Sequence, residues 1–133
     1  MLTRRNFAAC ALCAITGFVA TGAEAQTAPA GLKRTIITRM DGPMDGYETV
    51  DVRVDIEPAA VIARHTHPGI ESTFVVDGAL ELSVDGQGTR SFKTGDGFQV
   101  PPRTPHSGKG GDKPTTLAIT YVVEKGKPLA SPA

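Results

Sequence analysis

Between Lys33 and Glu124 no stretch of 12 residues repeats its apolar side chains at helical spacing, which excludes a helical core for most of the chain. What stands there instead is period two. Val50, Val52, Val54 and Ile56 alternate with Thr49, Asp51, Arg53 and Asp55, the pattern of a strand with one buried face. The same reading predicts strands over 61–66, 71–76, 79–84, 89–93, 98–101 and 115–124. Asp77-Gly78 and Asp85-Gly86 read as tight turns, since glycine takes positive φ without a Cβ clash. Short β-rich runs with 15 glycines and 10 prolines spread through the chain imply a sandwich or barrel. No internal repeat is visible, so one barrel is expected.

The N-terminus has a different character. Arg4 and Arg5 precede an alanine-rich apolar run from Ala8 to Ala20, and Ala23-Glu24-Ala25 follows it. The run is short for a membrane span, which needs about 20 apolar residues, and the small-residue triplet is a cleavage pattern. Residues 1–25 are therefore expected to be an export signal, cut after Ala25. Thr3-Arg4-Arg5-Asn6-Phe7 resembles the twin-arginine signal; a general secretory signal and a retained anchor are the alternatives. The expected organisation is signal 1–25, flexible lead-in 26–32, barrel 33–124 and polar tail 125–133, with a periplasmic mature protein and no stable membrane anchor after cleavage.

Arg4, Arg5 and Glu24 leave with the signal, so 14 basic and 14 acidic side chains become 12 and 13. That balance argues against a nucleic-acid binder, which needs basic surface to displace counterions. Both cysteines, Cys10 and Cys13, also lie in the signal, so no disulfide or thiol chemistry is expected in the mature chain. Gly108-Lys109-Gly110-Gly111 lacks the ending and the following helix of a phosphate loop.

Histidine carries the chemistry. The chain has three, His65, His67 and His106. On a strand, residues two apart share a face, so His65 and His67 aim at one point. Pro68-Gly69 turns the chain, and Glu71 can return a carboxylate to that point. His106 follows a stretch stiffened by Pro101, Pro102 and Pro105. Three imidazoles and a carboxylate suit one divalent transition metal: Fe, Mn, Ni, Cu or Zn. Export in the folded state would load the metal in the cytoplasm, where copper and zinc are scarce, which favours Fe or Mn.

This stretch resembles the cupin superfamily. Its first motif, glycine, five residues, HxH, three or four residues, E, six residues, G, is matched by His65, His67, Glu71 and Gly78, with Ala59 at the opening glycine. Its second, glycine, five residues, P, one residue, G, two residues, H, three residues, N, is matched by Gly95, Pro101 and His106. Arg103 stands at the inner glycine and Gly110 at the asparagine. The resemblance implies a single double-stranded β-helix, a jelly-roll barrel, with one metal inside, a small-molecule substrate or ligand, and a homodimer. It does not choose an activity.

The reading that follows is a metal-dependent enzyme of oxygenase type, a dioxygenase in class, with Glu71 as ligand and catalytic base. Val61, Phe74, Val76, Phe98, Val100 and Ile119 are expected to line an apolar interior. A non-catalytic metal or ligand binder, and a cupin isomerase or lyase, are the alternatives. Leu117, Ile119, Tyr121 and Val123 share one strand face, so Tyr121 is expected in the core. Arg103 is expected at the surface, and the tail to carry no chemistry.

Overall fold

The computed structural model describes residues 29–133. The expected export signal, 1–25, lies outside the described residues. Among those described, regular structure is entirely β. The strands are β1 Leu32–Asp41, β2 Tyr47–Ile56, β3 Val61–Thr66, β4 Gly69–Asp77, β5 Ala79–Val84, β6 Gly88–Lys93, β7 Gly97–Val100, β8 His106–Gly110, β9 Thr115–Glu124 and β10 Ser131–Pro132. They form two five-stranded sheets, ordered β1-β2-β9-β4-β7 and β10-β3-β8-β5-β6. Every ladder is antiparallel. The two sheets form the double-stranded β-helix jelly roll that the sequence led us to expect.

The first of these, the long sheet, has the more regular pairing. β2 pairs with β9 from Tyr47–Glu124 to Ile56–Thr115 without a slip. The inward row of β2 (Val50, Val52, Val54, Ile56) meets that of β9 (Leu117, Ile119, Tyr121, Val123), and all eight are buried. Tyr121 is 2% exposed, in the core as its strand face requires. Leu80, Leu82, Val84 and Phe92 face them from the short sheet.

Gly69 fixes how closely β4 meets β9. A Cβ there would lie 2.0 Å from the Val122 carbonyl oxygen, so no side chain fits. Gly78 has φ 85°, and its Cβ would stand 2.5 Å from the Pro114 carbonyl oxygen. The expected turn is there, but the strands it joins are not neighbours. There the chain leaves the long sheet for the short one. Asp85-Gly86 does join two neighbouring strands, β5 and β6. Strand periodicity is the same whichever sheet a strand joins, so the pattern alone does not separate the two cases.

Two further expectations need correcting. Val61, Phe74 and Val76 are not interior: they are 62%, 51% and 46% exposed. On β4, Glu71, Thr73 and Val75 face inward, and odd spacing sends Phe74 and Val76 out. On β3 the register slips between Ile62 and His65, which breaks the face that Val61 and His65 would otherwise share. Phe98 packs partly buried against the core, and Val100 and Ile119 are buried as expected.

Segment 106–110 was not predicted as a strand. It is β8, flanked by β3 and β5. A Cβ on Gly108 would come within 3.2 Å of the Glu81 carbonyl oxygen, and one on Gly110 within 3.0 Å of the Glu57 carbonyl oxygen. Close approach of neighbouring backbone calls for glycine there, and glycine hides the strand from a propensity reading.

Candidate metal centre

His65 lies on β3, His67 just past its end, Glu71 on β4 and His106 at the start of β8. Three contacts bring them together. His65 and His106 are directly opposed in the β3–β8 ladder. The Arg103 N–H donates to the His67 carbonyl oxygen (3.0 Å), tying the proline-rich stretch to the His67 corner. The β4–β9 ladder sets Glu71 opposite Tyr121. One ligand atom from each of the four residues falls within 4.8 Å of all the others. His67, Glu71 and His106 are buried, and His65 is partly so.

The remaining polar atoms decide which ends point inward. His65 Nδ1–H donates to the Ala63 carbonyl (2.7 Å), His67 Nδ1–H to that of Leu129 (2.5 Å) and His106 Nδ1–H to that of Thr104 (2.9 Å). A carbonyl only accepts, so each Nδ1 keeps its proton and Nε2 is the ring atom left to bind a metal. Thr73 Oγ1–H donates to Glu71 Oε1 (2.7 Å), leaving Oε2 to face the histidines. Oε2 lies 2.8 Å from His67 Nε2 and 3.3 Å from His106 Nε2.

Such a centre asks for a cation. His65 Nε2 and His67 Nε2 stand 3.2 Å apart and would oppose lone pairs if both rings are neutral. His106 Nε2 is buried without a hydrogen-bond partner of acceptable geometry. A buried polar atom left unpaired costs about 1–3 kcal/mol. One divalent ion held by three Nε2 atoms and Oε2 removes both defects, and nitrogen/oxygen donors are those such ions take. The residues present fit a divalent metal.

The electrostatics agree. Burial, helped by the neighbouring His106 and His67 rings, lowers His65 to about 4, so it is a neutral ligand at pH 7. For Glu71, burial pushes upward, but His106, His67 and Thr73 together hold its carboxyl well below the usual carboxylate range. His106 is lowered by burial and raised more by Glu71 and the Thr104 carbonyl. Burial and the Glu71 charge keep the Tyr121 phenol protonated far above neutrality. The Tyr121 ring lies 4.7 Å from that of His67, centroid to centroid.

Beside the centre is a cavity of about 30 Å³, lined by His65, Glu71, His106 and Tyr121 among apolar side chains. That is room for one or two water-sized molecules.

Sequence reasoning missed the tail. It supplies the Leu129 carbonyl that orients His67, and β10 pairs Ser131 with Thr66 and Pro132 with His65. Leu129 is the tail's one large apolar residue and packs against the core. That was the available signal. Arg103 is exposed as expected, and its guanidinium also donates to Glu124 Oε1 (2.5 Å).

The two departures from the motif glycines are visible in the backbone. Ala59 has φ 59° and Arg103 φ 56°, the only positive values among the described non-glycine residues. The left-handed turns that glycine would take without strain are kept with a side chain present.

The family model for the cupin domain matches residues 52–124. Among solved structures, KdgF from Halomonas sp. is 22% identical, with 76% of this chain and 86% of that one covered and a TM-score of 0.62. The DMSP lyase DddQ from Ruegeria pomeroyi DSS-3 is 19% identical, covering 77% of this chain and 51% of that one, with a TM-score of 0.66. An RmlC-like cupin from Shewanella frigidimarina is 24% identical, covering 72% and 79%, with a TM-score of 0.59. The chain thus spans about half the length of the lyase. At these identities the likeness is one of fold. No curated protein matches.

Proposed function

The chain belongs to the cupin domain family, and from that premise we propose that it is a periplasmic metal-dependent enzyme of oxygenase type acting on a small organic molecule. One observation carries the reading. Three imidazole Nε2 atoms and one carboxylate oxygen converge, and the other polar atom of each side chain is already committed. His65, His67, Glu71 and His106 would hold one divalent ion, Fe or Mn before Ni, Cu or Zn. Such an ion supplies Lewis acidity and, for Fe or Mn, one-electron chemistry. The adjacent 30 Å³ supports an open coordination position, which distinguishes working sites from closed structural ones.

The protein's own groups do the rest. Glu71 is ionised, with Oε2 turned to the histidines and Oε1 kept in place by Thr73, and its carboxylate would serve as the base. Tyr121 stays protonated at neutral pH and offers a donor. Apolar walls limit water. A homodimer is part of the reading; exposed Ile37, Phe74 and Val76, grouped around one groove on the long sheet, support it. The periplasmic assignment rests on residues 1–25 of the sequence.

Elemental analysis of protein purified from its native periplasm should find about one metal per chain. Oxygen-electrode screening of small catechols and β-dicarbonyls should find a consumed substrate. Glu71→Gln, reloaded with metal, should turn over at least tenfold more slowly, since general-base contributions run about 10²–10⁴-fold. A second reading is favoured by Glu71 and Tyr121 standing opposite each other in the β4–β9 ladder, a carboxylate and a phenol placed for proton transfer. It is an isomerase or lyase. Turnover without oxygen uptake, lost in Tyr121→Phe, would choose it.

A further inference from the structure

Arg34 is the inward-facing cation that the centre does not use. On β1, Leu32 points into the barrel and is 7% exposed; Arg34, two residues on, shares that face. Its ladder partner is Val54, which pairs with Leu117, which pairs in turn with Val75. Those three are buried, so the guanidinium ends a row of otherwise apolar interior side chains. It lines the same cavity as His65, Glu71, His106 and Tyr121. Arg34 is itself an exposed residue, so it stands where that cavity meets solvent.

The other described arginines have partners. Arg39, Arg53, Arg64 and Arg103 each pair with a carboxylate, and Arg90 lies over the Phe92 ring. Among the described residues no carboxylate pairs with Arg34. The only acidic side chain lining the cavity is Glu71, already shared among the histidines. A divalent ion and a guanidinium against one carboxylate would leave an excess of positive charge from the cavity mouth inward, which draws anions toward the centre. The fork of N–H donors fits a carboxylate in particular.

We infer that the site takes a short carboxylic acid, its carboxylate paired with Arg34 at the cavity mouth and its reacting end at the metal centre. This rests on the metal reading above and narrows its substrate class. Cobalt(II)-loaded protein, followed by its visible absorption bands, provides a readout independent of turnover. Acetate and pyruvate should shift the bands saturably, and neutral acetamide should not. Arg34→Gln should weaken both acids at least tenfold, with cobalt content and melting temperature unchanged, and Arg34→Lys should fall between. Equal affinity in Arg34→Gln, or acetamide binding as well as acetate, overturns the inference alone. Protein that takes up no cobalt overturns the metal reading, and the inference with it.

Discussion

The two sheets divide the work unequally. The long sheet contributes eleven of the fifteen buried apolar core residues, and its β2–β9 ladder runs ten residue pairs without a slip. The short sheet and its corner contribute all three histidines, on strands that are brief, slipped at Ile62/His65 or rich in glycine. Glu71, from the long sheet, is steadied by the hydroxyl of Thr73 on its own strand. The histidines are steadied by backbone carbonyls, two of them two residues away and one from the chain's end. Burial holds the barrel together on one side, and hydrogen bonds to the backbone aim ligands on the other.

If that division holds, the largest effect on folding belongs to the long sheet. Gly69→Ala forces a Cβ to within 2.0 Å of the Val122 carbonyl oxygen and should destabilise by about 3 kcal/mol or more. Thermal denaturation of metal-free protein measures it. A loss under about 1 kcal/mol would mean that β4 and β9 are free to move apart.

The short sheet should show its largest effect in metal binding. Removing residues 127–133 deletes the Leu129 carbonyl that holds His67 Nδ1. Loss of such an outer partner costs about 10–100-fold in metal affinity, and competition with a chelator reads it directly. Thr73→Val makes the matching cut on the long-sheet side by freeing Glu71 Oε1. It should weaken metal by about tenfold and melt within about 1–2 kcal/mol of wild type. Equal loss of fold and metal in both variants would dissolve the distinction between the sheets.

Proton linkage gives a smaller, signed test. In the metal-free protein His65 takes its proton near 4 when folded, against 6.5 when free, because burial disfavours the imidazolium. Its folded pKa is depressed, so between these values the unfolded chain binds more protons and stability falls as pH falls. Measured against His65→Asn, wild-type protein should lose melting temperature from pH 6.5 toward 4 and hold level above 6.5. No change in that difference would mean His65 is solvated, with the short sheet open at this corner.

The smallest expected effect lies in the turn before β3. Ala59 holds φ 59°, and Ala59→Gly should relieve strain worth about 1 kcal/mol, offset in part by the greater freedom of glycine in the unfolded chain. A net gain of a few tenths of a kcal/mol in denaturant melts, with metal affinity unchanged, is the expected result.

Period-two alternation was enough to place β2, β5 and β9, because buried and exposed side chains must alternate on a strand whatever surrounds it. The spacing of His65, His67, Glu71 and His106 was enough to group them, since few side-chain types suit a transition metal. Glycine-rich β8 was illegible for the converse reason. Its residues are chosen by the backbone packed around it, and nothing local records that.

The sequence by itself therefore determined the class of fold and the residues of the centre, properties carried by local pattern and donor chemistry. Only the tertiary structure decided that Phe74 and Val76 face solvent, that Gly78 passes the chain between sheets, and that Arg34 reaches the cavity. It also decided that His67 is oriented by Leu129, 62 residues further along. Each of these depends on which strand lies beside which. Pairing across the barrel is set by packing between distant segments, and a period read along one strand carries no information about its neighbour.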